Sequence, residues 1–143
     1  MEENSQSAEK IKLDFKESMY ATGRRKTSIA KIWLKKGTGK IFVNGKNFQD
    51  YFTSDTHKMQ ILRPFEIIDQ ATQYDVRCKV VGGGHTGQAG AMVHGISRAL
   101  VKFDENFKTT LRKEKLTTRD SRAVERKKPG RAKARKSYQF SKR

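Results

Sequence analysis

The sequence predicts an α+β body of mainly antiparallel strands with helices on one face, followed by a long, extended basic C-terminal tail. Three observations carry that reading. Tyr74, Val76, Cys78 and Val80 alternate with Asp75, Arg77 and Lys79, the period of a strand with one buried side. Met92, Ile96, Ala99, Leu100 and Phe103 recur at helical spacing just after a run of glycines. From Arg126 to Arg143, nine cations and no acid accompany only two large apolar side chains, Tyr138 and Phe140. That is too little apolar surface to offset the entropy of ordering the segment.

Taken in order, residues 1–18 are polar and without a sustained period, which predicts a flexible acidic extension, with Leu13 and Phe15 as the one sign of a short edge strand. From Met19 the pattern tightens. Ser28, Ala30, Ile32 and Leu34 alternate with Ile29, Lys31 and Trp33, giving a strand that turns through Lys35 to Gly39 into a second one, Lys40 to Asn44. Asn44-Gly45 marks the next turn. Phe48 to Phe52 reads as a helical turn, and Asp55 as the cap of a helix carrying Met59, Ile61 and Leu62. Pro64 disfavours helical geometry at Arg63, which predicts a kink or a fresh start continuing through Phe65 and Ile68. After the glycine-led helix, Phe107 with Leu111 supports one more short helix, and the body closes near Leu116. The expected units are therefore an extension (1–18), a globular domain (19–118) and a tail (119–143). Were Thr118 to Lys128 helical, Arg119, Arg122 and Arg126 would share a basic face turned to a partner.

The formal net charge is +17, distributed as −2 over residues 1–19, +10 over 20–125 and +9 over 126–143. Both body and tail are basic, so a polyanionic partner must touch both, and a phosphate backbone is the commonest such partner. Fully extended, the last eighteen residues reach roughly 60 Å, far beyond the ~13 Å radius of gyration of a hundred-residue domain. Pro129-Gly130 sets a bend between two basic blocks, and the rings near the end suit stacking on unpaired bases. The competing reading of such a run is a solvated end that keeps the protein soluble. A single cysteine, Cys78, excludes an internal disulfide and lies on the apolar side of a strand, where it reads as core rather than nucleophile. No apolar run approaches the ~20 residues of a membrane span. The N-terminus lacks a signal-peptide core and an Arg-rich transit character, so a soluble intracellular protein is expected.

Gly82-Gly83-Gly84-His85-Thr86-Gly87 spells the G-x-G-x-x-G spacing after a strand and before a helix, with Asp104 twenty residues past Gly84. Its context argues against a dinucleotide site, because Asp104 follows a helix instead of ending a second parallel strand. Glycine here reads as the removal of side chains where a foreign backbone comes close, with the free N–H groups of the new helix offered to phosphate. Gly90 and Gly95 either extend that bare surface or let the helix sit tightly on the sheet. Gly23-Arg24-Arg25-Lys26-Thr27-Ser28 is a second basic patch at a strand start, or else an ordinary exposed turn. His57, His85 and His94 are scattered, default to surface positions and pair with no acid at motif spacing; no catalytic set, metal site or cofactor is implied.

Three stretches together resemble the family of the universal small-subunit ribosomal protein numbered nine, in its bacterial or organellar form. Thr22 to Ser28 is similar to its basic strand start. Gly82-Gly83-Gly84, Gly87-Gln88, Ala91, Gly95 and Ser97-Arg98-Ala99-Leu100 resemble its glycine-helix signature, which is far more specific than a lone glycine fingerprint. Asp120-Ser121-Arg122, Glu125 to Lys128, Lys133 to Lys136 and Ser141-Lys142-Arg143 resemble its tail and ending. The match runs from Tyr20 to Arg143; the acidic extension departs from it. The resemblance implies a four-stranded sheet with helices on one side, the fold of the second domain of ribosomal protein S five, including one left-handed crossover. It further implies a non-enzymatic place in the head of the small subunit, against ribosomal RNA and neighbouring head proteins. RNA contact is expected from Arg24, Arg25, Lys26, Gly82, Gly83, Gly84, Gln88, Arg98, Arg119, Arg122, Arg126, Lys127, Lys128, Arg131, Lys133, Arg135 and Lys136. Tyr138 and Phe140 would stack on bases or anchor the tail, and Lys142 and Arg143 would contact tRNA in the peptidyl site. The setting would be a cytoplasmic ribosome or, alternatively, a mitochondrial or plastid one. A free-standing RNA-binding protein or chaperone, and a nucleotide-binding enzyme using Gly82 to Gly87, are the rival classes.

Overall fold

A computed structural model describes residues 17–141. The acidic extension up to residue 16, with the edge strand expected at Leu13 and Phe15, and the pair Lys142-Arg143, lie outside the described residues. Five strands form one sheet: β1 (Met19–Arg25), β2 (Ser28–Lys36), β3 (Ile41–Val43), β4 (Lys46–Asn47) and β5 (Tyr74–Val81). Between β4 and β5 lie helices α1 (Phe48–Tyr51) and α2 (Asp55–Ile67), and after β5 come α3 (His85–Phe103) and α4 (Phe107–Lys113). The strand order is β1-β2-β5-β3-β4.

The expectation of four mainly antiparallel strands needs correcting to a mixed five-stranded sheet. The added strand is β4, two residues long, which the Asn44-Gly45 turn folds back onto β3 with Val43 opposite Lys46. Both turn residues have positive φ, 50° at Asn44 and 82° at Gly45, the backbone that matches hairpin twist. The parallel member is β3 on β5, with Ile41 opposite Val76 and Val43 opposite Cys78. Asn44 prolongs that pairing with its side chain, accepting from the Val80 N–H at 2.9 Å and donating to the Val80 carbonyl at 3.1 Å. Parallel pairing was hidden in the sequence because alternation reports which face is buried, not which way the neighbour runs. β1 is similarly quiet: Gly23 interrupts any branched apolar pattern, yet Met19 to Arg25 pair in register with Leu34 to Ser28.

Ala21, Ala30, Ile32, Leu34, Val76, Cys78 and Val80 turn to one face and are buried there with Met92, Ile96, Ala99 and Leu100 of α3. Burial pushes the Cys78 thiol well above its ordinary range, so it stays protonated in the core. Two expectations about α2 change. Its N-cap is Ser54, with Asp55 inside the first turn, where its charge suits the helix dipole. The helix also runs unbroken through Pro64, because the ring and the adjacent Phe65 are buried in the core and that packing offsets one lost backbone bond. Thr118 to Lys128 is not helical. Asp120 instead accepts from the Arg122 backbone N–H at 3.1 Å, a local turn that competes with helix formation.

A candidate RNA interface built from hairpin, glycine loop and tail

The first basic patch is the β1–β2 hairpin. Lys26 sits at its tip with φ 51°, and Arg24 and Lys26 are exposed. Arg25 is half-buried and points the other way, across α3. A Cβ placed on Gly90 would lie 2.2 Å from the Arg25 Cδ, so Gly90 is the notch through which this side chain passes. Its Nε ends 3.8 Å from Asp120 at the root of the tail. The glycine question thus resolves differently at the two positions. Gly90 makes room for an arginine, whereas Gly95 is a packing residue, whose Cβ would fall 2.6 Å from Ile32 and 3.0 Å from the Gly23 nitrogen.

The second region is the loop between β5 and α3. Gly82, Gly83 and Gly84 are exposed, and the first two have φ of 74° and 60°, which only glycine adopts freely. Gly84 caps α3 without a side-chain bond, and a Cβ there would meet nothing within 4 Å, so the space before the helix N-terminus is open. Gln88 has a different place from the one its RNA-contact expectation implies. It is buried, donating to the Gly82 carbonyl at 3.0 Å and accepting from the Tyr51 hydroxyl at 2.7 Å, and so shapes the loop from beneath. α3 leads into α4 and not into a further strand, so the dinucleotide arrangement is not built around this loop among the described residues.

Arg98 is exposed and also structural. With His94 and Lys102, spaced four residues apart along α3, it covers the outer edge of β1. Arg98 donates to the Thr22 carbonyl at 2.6 Å, Lys102 to the Tyr20 carbonyl at 2.9 Å, and the Arg24 N–H donates to His94 Nδ1 at 3.2 Å. His94 is therefore not the surface histidine that its spacing suggests. Burial first, then the charges of Arg98 and Arg119, hold its pKa below the ordinary value. A lowered histidine pKa means the unfolded chain binds the proton more readily, so stability is present above about pH 6.5 and is lost as pH falls below it. The denaturation midpoint is expected to drop between pH 8 and pH 5.5, and to drop less in His94→Asn, which keeps an acceptor but no titration; urea unfolding at the two pH values checks this.

The third region is the tail. After Lys113 no residue to Ser141 belongs to a helix or strand. Arg119, Arg122, Arg126, Lys127, Arg131, Lys133, Arg135 and Lys136 are exposed and Lys128 is half-buried. Two acids organise them. Asp120 takes Arg122 at 2.7 Å, and bonds from that guanidinium and its backbone hold the carboxyl well below the usual carboxylate range. Glu125 pairs with Lys128 and, at 3.0 Å, with Arg135, which also lower its pKa. Arg131 donates from its side chain to the Arg135 carbonyl at 2.8 Å and to the Ser137 hydroxyl at 3.0 Å, closing a small loop over residues 131–137, and its backbone N–H donates to the Lys128 carbonyl at 3.3 Å across the Pro129-Gly130 turn. Tyr138 and Phe140 are 67% and 87% exposed, so neither ring is anchored on the protein's own core.

Sequence reasoning missed a cavity of about 200 Å³ where hairpin, α2, α3 and tail root meet, lined by Arg24, Arg25, Arg63, His94, Lys115 and Asp120 among others. Arg63 and Lys115 reach it from positions that spacing does not connect to the hairpin. Among the described residues no group of histidine, cysteine or acidic side chains could hold a metal ion. No described helix is long and apolar enough to cross a membrane.

Hairpin, glycine loop and tail root thus form one cationic surface with bare backbone at one end and an outward-facing chain at the other. Comparison with known proteins identifies the family. A family profile described as Ribosomal protein S9/S16 matches residues 23–143. The chain is 54% identical over 136 residues to the small ribosomal subunit protein uS9 of Rickettsia canadensis, covering 95% of this chain and 84% of that one. It is 55% identical over 134 residues to the proteins of the same name from Rickettsia felis and Rickettsia massiliae, covering 94% of this chain and 83% and 84% of theirs. This chain belongs to the ribosomal protein S9 family, as a structural, non-enzymatic protein of the small ribosomal subunit.

Proposed function

We propose that the protein fastens ribosomal RNA in the head of the small subunit with its body and carries its tail to tRNA in the peptidyl site. In this reading the body (19–118) docks through Arg24, Arg25, Lys26, Arg98 and the Gly82–Gly84 loop, whose open approach to the α3 N-terminus suits a phosphate. The tail (119–143) neutralises successive phosphates with Arg119, Arg122, Arg126, Lys127, Lys128, Arg131, Lys133, Arg135 and Lys136. Tyr138 and Phe140 stack on unpaired bases, Lys142 and Arg143 steady the tRNA, and neighbouring head proteins complete the setting. The observation that carries the reading is a tail whose described residues have neither helix nor strand while nearly all of their cations point outward. Bacterial relatives favour a cytoplasmic ribosome over a mitochondrial or plastid one.

Most of these contacts go to phosphate, so recognition is shape-directed and salt-sensitive. Deleting Ser141 to Arg143 is expected to leave subunit assembly intact and to weaken retention of peptidyl-site tRNA, measured by filter binding on reconstituted subunits. Retention equal to that of intact subunits would remove the tRNA role. Co-sedimentation with subunits in high salt separates this reading from a free-standing RNA chaperone, which washes off.

A further inference from the structure

The cavity of about 200 Å³ between hairpin, α2, α3 and tail root has two features that its own neighbours do not satisfy. The first is an acceptor. Gln60 forms part of the wall, and its Oε1 is buried with no hydrogen-bond partner among the described residues. A buried polar atom left unpaired is destabilising, and a donor brought beside it removes that penalty.

The second feature is charge. Arg24, Arg25, Arg63 and Lys115 line the cavity against one acid, Asp120. Two of these cations are already engaged: the Arg25 Nε lies 3.8 Å from Asp120, and Arg63 pairs with Glu114 at 2.8 Å. His94 is engaged too, since its Nδ1 accepts from the Arg24 N–H. Arg24 and Lys115 are exposed, and no ion pair between described residues includes either side chain. Lys115 follows α4 with φ 57°, a left-handed position where glycine is the usual residue, so a charge stands at the cavity where none is needed to end the helix.

Size narrows the ligand. Drug-sized molecules occupy ~300–1,000 Å³, whereas about 150 Å³ holds a benzene-sized ring. The cavity therefore admits one six-membered ring, with a phosphate left at its mouth. A pyrimidine nucleotide has the matching parts. Its flat faces suit the half-buried Val93 and Leu116 of the wall, its ring N–H or amino group supplies the donor for Gln60, and its phosphate suits Arg24 and Lys115.

We propose that this cavity receives one unpaired pyrimidine nucleotide of the RNA, its base between Val93 and Leu116 with an edge on Gln60, its phosphate at Arg24 and Lys115. Extruded bases are held in this way, by hydrogen bonds at the edge and apolar packing on the faces, and extrusion costs least where the base is already unpaired. The site rests on the RNA reading above for its polyanion, and adds a base contact to a surface otherwise built for phosphates.

The test uses full-length protein and two labelled RNA hairpins, one with a single bulged uridine and one with an abasic residue in its place, compared by anisotropy. The uridine hairpin is expected to bind about tenfold more tightly, the order of one buried base. Val93→Phe fills the cavity, and Gln60→Leu removes the acceptor at similar volume. Each is expected to bring the ratio close to one while leaving affinity for the abasic hairpin unchanged. Lys115→Gln is expected to weaken both hairpins alike. If circular dichroism shows Val93→Phe misfolded, Gln60→Leu is read alone. Equal binding of the two hairpins by the parent protein would overturn the cavity site and leave the phosphate contacts standing. A ratio that survives the substitutions would put the base elsewhere and overturn it as well. Uridine monophosphate that erases the ratio would assign the cavity to a free nucleotide instead of RNA. Absence of any RNA binding would sink both readings.

Discussion

Replacing Gly23 with alanine is expected to lower the melting temperature by well over 10 °C. An added Cβ would lie 1.9 Å from the Ala91 carbonyl oxygen and 2.3 Å from the Gly95 nitrogen, so β1 and α3 touch backbone to backbone here. Neither neighbour is a side chain that can rotate away. The helix must lift off the sheet, loosening Ile96 and Met92, which are fully buried beneath it. Overpacking of this kind costs about 3 kcal/mol, against total stabilities of roughly 5–15 kcal/mol. At roughly 4–8 °C per kcal/mol for a domain near this size, that is a shift of about 12–24 °C. Thermal unfolding followed by circular dichroism measures it. Gly84→Ala is the control: its Cβ meets nothing, so melting stays within about 2 °C while RNA affinity falls if that space receives a phosphate. A Gly23→Ala protein that melts like the parent would mean that helix and sheet are not in backbone contact.

Removing residues 126–143 is expected to have the largest effect on binding and almost none on folding. None of the described residues among those removed belongs to the buried core, so the melting temperature should change by no more than about 2 °C. The segment holds nine cations. At roughly 0.7–0.9 per neutralised phosphate, the slope of log affinity against log salt becomes shallower by about 6 to 8. Between 50 and 200 mM salt the full chain should lose on the order of ten-thousandfold in RNA affinity, and the truncated chain far less. Titrations at several salt concentrations decide the matter. A truncated chain with an unchanged slope would show that the tail cations are spent elsewhere.

Much of the body was legible because its elements are amphipathic. The alternation at Tyr74 to Val80 and the helical spacing from Met92 to Phe103 follow from burial of one side, and both elements stand where they were expected. The direction of β3 against β5 was not legible, since partner orientation leaves no trace in one strand's own period. β1 was quiet for a related reason: contact with α3 demands glycine at position 23, where strand propensity asks for a branched residue. The basic stretches were readable from composition, but their internal wiring was not. That Gln88 turns inward, that Arg25 crosses Gly90 to reach Asp120, and that Glu125 gathers Lys128 and Arg135 all depend on neighbours brought together by the fold.

The outer edge of β1 bears on the life of the chain before it meets RNA. A strand bordering a sheet invites another copy to continue the ladder. Here His94 takes the Arg24 N–H, and Arg98 and Lys102 take the Thr22 and Tyr20 carbonyls, along one border. At the other border, β4 offers only two residues. Two copies of the described body therefore find little free ladder to share, and their like charge sets them against one another.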